Sequence, residues 1–203
     1  MTAAEKIMKK KEFIKHESDR QLHKAQSDKL WRKAAAELDK ILARYADLPK
    51  GIHTHTDNSI FPTAAIYLTF KAAIGEEKAY EIIEKAAAEN AGSKGKKLAN
   101  LMRIPGMPSL FIKIWDPMTI KIFGPKCGFR NRFYPKKKGE YRMDILECPY
   151  NKYFTELGCP ELTKIFCRND ELAYGNLPGL NFIRTSTIGR GGERCDFYLR
   201  RAK

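Results

Sequence analysis

The sequence predicts an α+β fold, in which a helical N-terminal half packs with an antiparallel sheet and covering helices in the C-terminal half. Three observations support this prediction. Residues 3–46 contain neither Gly nor Pro, and apolar residues recur there at helical spacing. The same spacing returns over residues 60–90. After Gly128 the apolar residues alternate with polar ones, which is the period of strands.

The individual elements follow from these patterns and from the Gly and Pro residues that interrupt them. The N-terminal stretch predicts one long helix, or two in line, that ends before Pro49 and Gly51. The further predicted helices are 60–74, 76–90, a short one at 96–102 after Gly92 and Gly95, 150–157 and 160–173. Residues 110–123 mix helix and strand patterns. Strands are predicted on both sides of the KKKGE turn, and at 180–187 and 195–200 around the glycine-rich turn 189–192.

We expect one domain over residues 1–203, with an N-terminal helical extension at 1–48 and an α+β domain at 50–203. Hydrophobic residues make up 43% of the chain, which is typical of globular proteins. No apolar run approaches the roughly 18 to 20 residues of a membrane span, and the charged N-terminus lacks the apolar centre of a signal peptide. We therefore expect a cytoplasmic protein with reduced thiols. The extension is a candidate dimerisation element of a homo-oligomer, or a helix unique to a subgroup of related chains.

The net charge of +14 raises the question of a polyanionic partner. The densest basic segment, Lys136–Lys138, precedes Gly139 in the predicted hairpin turn. No known nucleic-acid-binding motif accompanies it. We therefore favour a lysine-rich surface over nucleic-acid binding.

Metal ligation is one possible role for the cysteines and for the HTHTD segment. Cys148, Cys159, Cys167 and Cys195 are separated by 11, 8 and 28 positions, whereas structural zinc takes ligands from close pairs. In an extended segment His53, His55 and Asp57 would point to one side, which is open to a divalent metal. Because no third anchored ligand is evident, we favour His55 or Asp57 as a base in a pocket, and expect no metal and no cofactor.

Several reactive side chains are predicted to converge at one end of the sheet. Cys167 and Asp170 are three apart on one helix and share a face. Arg184 and Thr185 lie in a strand, and Cys195-Asp196 begins its antiparallel partner. A cysteine near Arg has a lowered pKa and acts as a nucleophile. Burial as a small apolar residue is the alternative for each cysteine, and it is the one we favour for Cys148 and Cys159.

Several motifs carry a family resemblance. ECPY at 147–150, LGCPELTKIFCRND at 157–170, FIRTSTIGRGG at 182–192 and CDFYLRR at 195–201, together with IFPTAAIYLTF at 60–70, resemble the L-2-amino-thiazoline-4-carboxylic acid hydrolase family. The resemblance implies hydrolytic opening of a small cyclic amidine. In the reaction that names the family, water adds to the ring carbon of 2-aminothiazoline-4-carboxylate and a carbamoyl-cysteine results.

This chemistry suggests a role for each candidate residue. Asp170 or Asp196 would protonate the ring nitrogen. The attacking group would be an activated water or a thiolate, first Cys167 and second Cys195. The remaining candidates contact the substrate: Arg184 for its carboxylate, Thr185 and Thr187 for a polar edge, His55 as a base, and Cys148 through the ECPY motif. A non-catalytic domain that binds a small ligand is the alternative function.

Overall fold

The computed structural model describes residues 2–202 and confirms the α+β class. Helices form the N-terminal half, and four strands form one antiparallel sheet in the order β1-β2-β4-β3. The strands are β1 (Arg130–Phe133), β2 (Glu140–Glu147), β3 (Leu180–Ile183) and β4 (Cys195–Arg201). Within residues 2–202, no helix combines the length and the apolar character needed to cross a membrane.

The N-terminal stretch forms three helices, so the prediction of one long helix or two in line is wrong. They are α1 (Ala3–Lys9), α2 (Glu12–Gln21) and α3 (Lys24–Arg44). The chain turns back on itself after α2, where Leu22 is extended, and the hydroxyls of Ser18 and Ser27 pair across the bend at 2.6 Å. Residues of α3, such as Leu38, share a hydrophobic core with Phe61 of the next helical block.

Residues 53–57 are helical, so the expectation of an extended segment is wrong. The short helix α4 (His53–His55) leads through a π-helical turn at Thr56–Ile60 into α5 (Phe61–Ile74). His53 Nδ1 pairs with Asp57 Oδ1 at 3.0 Å, an i,i+4 contact that only a helical path allows. His55 therefore points away from this pair, and the three side chains do not face one side.

Gly92 and Gly95 do not end a helix, because α6 runs without a break over Glu76–Met102. A Cβ on Gly95 would lie 2.4 Å from the carbonyl oxygen of Leu172. The glycine therefore permits close contact between α6 and α9 (Leu162–Tyr174). The ambiguous segment at 110–123 lies almost wholly in α7 (Met107–Ile122).

The hairpin and the last helices agree with prediction, apart from the length of β3. The β1–β2 pair is antiparallel, α8 covers Pro149–Glu156, and β3 pairs with β4. Strand β3 ends at Ile183 instead of at 187 because the next N–H groups leave the ladder. Those of Thr185 and Ser186 donate to the Asp196 carboxylate at 2.9 and 2.6 Å.

Two hydrophobic clusters result, one among the helices and one between the sheet and α7. Tyr150 at the start of α8 packs against both. Where the clusters meet, beside Tyr150, the described residues enclose a cavity.

Candidate active site

The cavity has a volume of about 180 Å³ and lies between α7, α9 and the sheet. Its walls are mostly aromatic and aliphatic, with polar groups at particular points. The side chains of these walls that carry a hydroxyl, thiol, amide or charged group, or an imidazole, are His55, Thr119, Cys148, Tyr150, Thr163, Cys167, Asn169, Asp170, Tyr174, Arg184 and Cys195. A small, partly open cavity that combines apolar walls with polar groups at particular points suits a small organic molecule.

Two thiols meet at one wall of this cavity. Cys167 comes from α9 and Cys195 from the first position of β4. The turn between the strands lies against both sulfurs, because the Ile188 N–H donates to Cys195 Sγ at 3.3 Å and a Cβ on Gly189 would lie 2.8 Å from Cys167 Sγ. Glycine is therefore the residue that lets the backbone approach the Cys167 sulfur.

The pKa values of the two thiols shift in opposite directions. The neighbouring Cys195 thiol lowers the pKa of Cys167 below its ordinary 9.0, against the opposing effect of burial. Thr187, the charge of Arg184 and the Gly189 N–H lower this pKa further. The pKa of Cys195 is raised, first by its interaction with Cys167 and then by burial. Cys167 is thus the thiolate of the pair.

The Thr187 hydroxyl lies near the Cys167 sulfur without completing a hydrogen bond. It is buried and completes no hydrogen bond with any residue in 2–202, although it is close enough to Cys167 to lower the thiol pKa. Its effect on the Cys167 pKa is smaller than that of the Cys195 thiol.

Arg184 links Asp170 to the backbone beside the thiolate. Its side chain is only 1% exposed. Nη1 donates to Asp170 Oδ2 at 2.8 Å, while Nη2 donates to the Cys167 carbonyl at 2.5 Å and to Glu171 Oε1 at 3.0 Å. Arg190 supplies a second cation to Glu171. The Nε group of Arg184 has no partner among the described residues.

The surroundings of Asp170 favour its protonated form. Burial raises the pKa of Asp170 to about 7, because it outweighs the opposing charge of Arg184, and the negative charge of Cys167 adds to the increase. The side chain keeps 34% of its surface accessible and lines the cavity. A ligand that displaces water from the cavity would strengthen the effect of burial.

His55 lies in the cavity wall together with Tyr150. Its Nε2 donates to the Ile122 carbonyl at 2.7 Å, so its Nδ1 accepts from the Tyr150 hydroxyl at 3.0 Å. Burial lowers the pKa of His55, against the opposing effect of the Ile122 bond. The histidine is therefore a neutral acceptor for Tyr150.

Four of the predicted residues, Asp57, Thr185, Thr187 and Asp196, lie outside the cavity wall. Asp196 accepts from the Thr185 N–H at 2.9 Å and from the Thr185 hydroxyl at 2.5 Å. Burial would raise the pKa of Asp196, but these bonds, with that of Ser186, lower it below its ordinary value. Asp196 therefore fixes the segment that leads to Thr187. Together, Thr185, Thr187 and Asp196 support the loop behind the thiols.

The remaining cysteines differ in position. Cys148 lines the cavity, and burial raises its pKa to about 12. Cys159 lies in the helical core, where burial likewise raises its pKa to about 12. Both are thiols rather than thiolates.

The sequence patterns did not single out Thr163, Asn169 and Tyr150 as functional. Thr163 Oγ1 and Asn169 Oδ1 line the cavity, are buried and have no hydrogen-bond partner within residues 2–202. Thr163 stands four positions before Cys167 on one helix face, which was a usable indication. Asn169 had none. Unpartnered buried polar atoms in a cavity wall are suited to a polar ligand or to water.

A comparison with family models identifies the chain. The model of the family described as L-2-amino-thiazoline-4-carboxylic acid hydrolase matches residues 53–199. The chain belongs to this family. No curated protein and no solved structure matches it.

The L-2-amino-thiazoline-4-carboxylic acid hydrolase match begins at His53 and ends at Leu199. It therefore includes every residue that lines the cavity of Cys167 and Cys195, which we call the thiol cavity, and leaves out α1–α3. The family name describes a hydrolase of a thiazoline carboxylic acid. Within residues 2–202, no group of three His, Cys, Asp or Glu side chains is arranged to hold a metal ion.

Proposed function

We propose that the protein is a hydrolase that opens a small cyclic amidine of the thiazoline type, bearing a carboxylate, by addition at its C=N carbon. The observation that carries this proposal is the convergence of Cys167, Asp170 and Arg184 on one small cavity. Its 180 Å³ lies below the roughly 300 Å³ at which drug-sized pockets begin. That size favours a single small ring.

The wall groups suit such a ring. Aromatic side chains, among them Trp115 and Phe129, offer flat apolar surfaces. The unpaired Asn169 Oδ1 would accept from the exocyclic amino group. The unpaired Arg184 Nε–H and Thr163 hydroxyl would donate to the carboxylate, since the other guanidinium nitrogens are already bonded.

In the first step, the Cys167 thiolate forms a C–S bond to the C=N carbon. The electron pair of the C=N bond takes the Asp170 proton at nitrogen. The tetrahedral adduct then expels the ring sulfur as a thiolate and leaves an isothiouronium on Cys167. The Cys195 thiol and the Gly189 N–H, which lower the pKa of Cys167, keep it ionised before the attack.

In the second step, water adds to the same carbon and gives one proton to the Asp170 carboxylate. Collapse of this adduct releases Cys167, and the last proton passes to the substrate thiolate. The sum is one substrate and one water to one carbamoyl thiol, with the enzyme restored. Cys195 keeps its proton throughout as a donor to Cys167.

The test is turnover of 2-aminothiazoline-4-carboxylate by the full chain, followed by mass spectrometry of carbamoyl-cysteine. We expect catalytic turnover and, after an acid quench, a mass increment on the peptide that carries Cys167. Cys127→Ala is the matched control, because Cys127 is buried but does not line the cavity. Binding without turnover would instead favour the non-catalytic ligand-binding domain.

A further inference from the structure

A second cavity, of about 350 Å³, lies on the helical side of the molecule between the α1–α2 junction, the π-helical turn, α6 and α9. Three lysines line it, Lys10, Lys11 and Lys94. No Asp or Glu of the described chain does so. We call it the lysine cavity. It carries a local excess of positive charge in a concave site.

Lys11 is the unusual member of this group. It is only 9% exposed and forms no hydrogen bond or ion pair with any side chain in residues 2–202. Its Nζ lies 5.8 Å from the centroid of the Phe13 ring. Burial, then Lys94 and Lys10, lower the pKa of Lys11 to about 8. A buried cation without a counter-charge is costly.

Apart from the lysines, the side chains that line the cavity are neutral, and about half of them can form hydrogen bonds. Lys10 Nζ donates to Asn58 Oδ1 at 3.1 Å, which holds it at the rim. Lys94 is exposed and pairs with no carboxylate of the described chain. The amides of Asn90 and Asn169 line the cavity and have no hydrogen-bond partner within residues 2–202. These amides can donate to an anion.

The break between α1 and α2 creates this arrangement. Lys10 follows α1 and Lys11 precedes α2, so the helix is interrupted immediately after Lys9. A continuous helix would have placed successive lysines about 100° apart around its surface. The junction instead brings Lys10 and Lys11 to one cavity, opposite Lys94 of α6.

We propose that the lysine cavity binds a small organic molecule with a multiply charged anionic group, a phosphate or a polycarboxylate. Three cations, no carboxylate and two free amides match that charge and hydrogen-bonding capacity. The volume lies within the roughly 300–1,000 Å³ of small-molecule sites, which exceeds the need of a bare inorganic ion. Phe166 and Asn169 separate this site from the thiol cavity, because they line both.

Thermal unfolding of the full chain with inorganic pyrophosphate tests the proposal. Sodium chloride holds the ionic strength constant, and citrate and acetate serve as a polycarboxylate and a monocarboxylate. We expect a saturable rise in Tm of about 5 °C or more at a large excess over Kd with pyrophosphate or citrate, and none with acetate. The stronger of the two identifies the anionic group.

Two variants show whether the effect arises at this site. Lys11→Met should raise the Tm of the free protein and weaken the apparent affinity by about tenfold or more, the effect of losing one charge-assisted hydrogen bond. Lys94→Met removes an exposed cation and should also weaken it, which keeps the test valid if Lys11→Met does not fold. Lys33→Met, on the exposed surface of α3, changes net charge equally and should leave it unchanged.

The proposal would be overturned if pyrophosphate and citrate raised the Tm of Lys11→Met and of Lys94→Met with the same apparent affinity as in the wild type. A Tm that follows ionic strength alone, or that responds equally to acetate, would overturn it as well. None of these readouts depends on turnover, so they are independent of the proposed hydrolase activity.

Discussion

Cys159 and Cys167 are both buried thiols, eight positions apart, in two very different regions. Cys159 lies in the helical core, and burial raises its pKa to about 12. Cys167 lies at the thiol cavity, where the Cys195 thiol, the Gly189 N–H and the Arg184 charge lower its pKa despite burial. Burial alone therefore makes a thiol inert, and the donors around it decide whether it becomes a thiolate.

The largest expected effect is the loss of the thiolate itself. Cys167→Ala should lower kcat/KM for 2-aminothiazoline-4-carboxylate by about a hundredfold or more, since it removes the nucleophile. Cys159→Ala should keep turnover, although the deleted sulfur leaves a void in the core. Circular dichroism would establish that both variants fold. A folded Cys167→Ala with full activity would assign the attack to a water activated by Asp170.

Asp170→Asn is expected to have the next largest effect. An amide cannot supply the proton to the ring nitrogen, so kcat should fall by about a hundredfold at neutral pH. Glu171→Gln is the matched control, because Glu171 also bonds Arg184 but does not line the cavity. If both variants lost activity equally, Asp170 would act only by holding Arg184.

A methyl group on the turn should disturb the thiolate without removing it. In Gly189→Ala the new Cβ would lie 2.8 Å from both Cys167 Sγ and Thr163 Cγ2, so the turn must shift, at a cost of about 1–3 kcal/mol. We expect kcat/KM to fall about tenfold as the Gly189 donor moves away. Gly92→Ala meets no atom within 4 Å and should keep activity while stabilising α6 slightly. Equal activity in the two variants would contradict the role of the turn.

The smallest expected effect is a change in the shape of the pH profile of kcat/KM. Activity needs Cys167 ionised, so it rises as pH passes a thiol pKa below the ordinary 9.0. It also needs Asp170 protonated, so it falls as pH passes about 7. A bell-shaped kcat/KM results, and Asp170→Asn should remove its alkaline limb. An alkaline limb that persists in Asp170→Asn would belong to another group.

Much of the fold could be predicted from periodicity, since helical spacing and the strand alternation in 140–147 reflect burial on one face. The errors lie where tertiary contact overrides local pattern. Gly95 reads as a breaker but permits the approach of α6 to Leu172. The π-helical turn after α4 left no periodic trace. The end of β3 depends on Asp196, which captures two N–H groups from a distant position.

The candidate site could be predicted in part. Helical spacing places Cys167 and Asp170 on one face, and strand pairing brings β4, with Cys195 at its start, beside β3. The cavity-facing position of Cys148 follows from packing between the two clusters, which no local pattern encodes. No local pattern indicates Thr163 or Asn169 as unpartnered either, because the lack of a hydrogen-bond partner for their buried oxygens depends on the surrounding tertiary structure.

The most direct test of the thiolate at Cys167 is alkylation by iodoacetamide as a function of pH, with each cysteine followed by peptide mass spectrometry. Cys148 lines the same cavity, but burial raises its pKa to about 12. It therefore controls for access, as Cys159 does for burial in the helical core. Cys167 should label well ahead of both at pH 7, with a rate that titrates below 9.0. A Cys167 that labels no faster than Cys148, or that titrates at or above 9.0, would contradict the account.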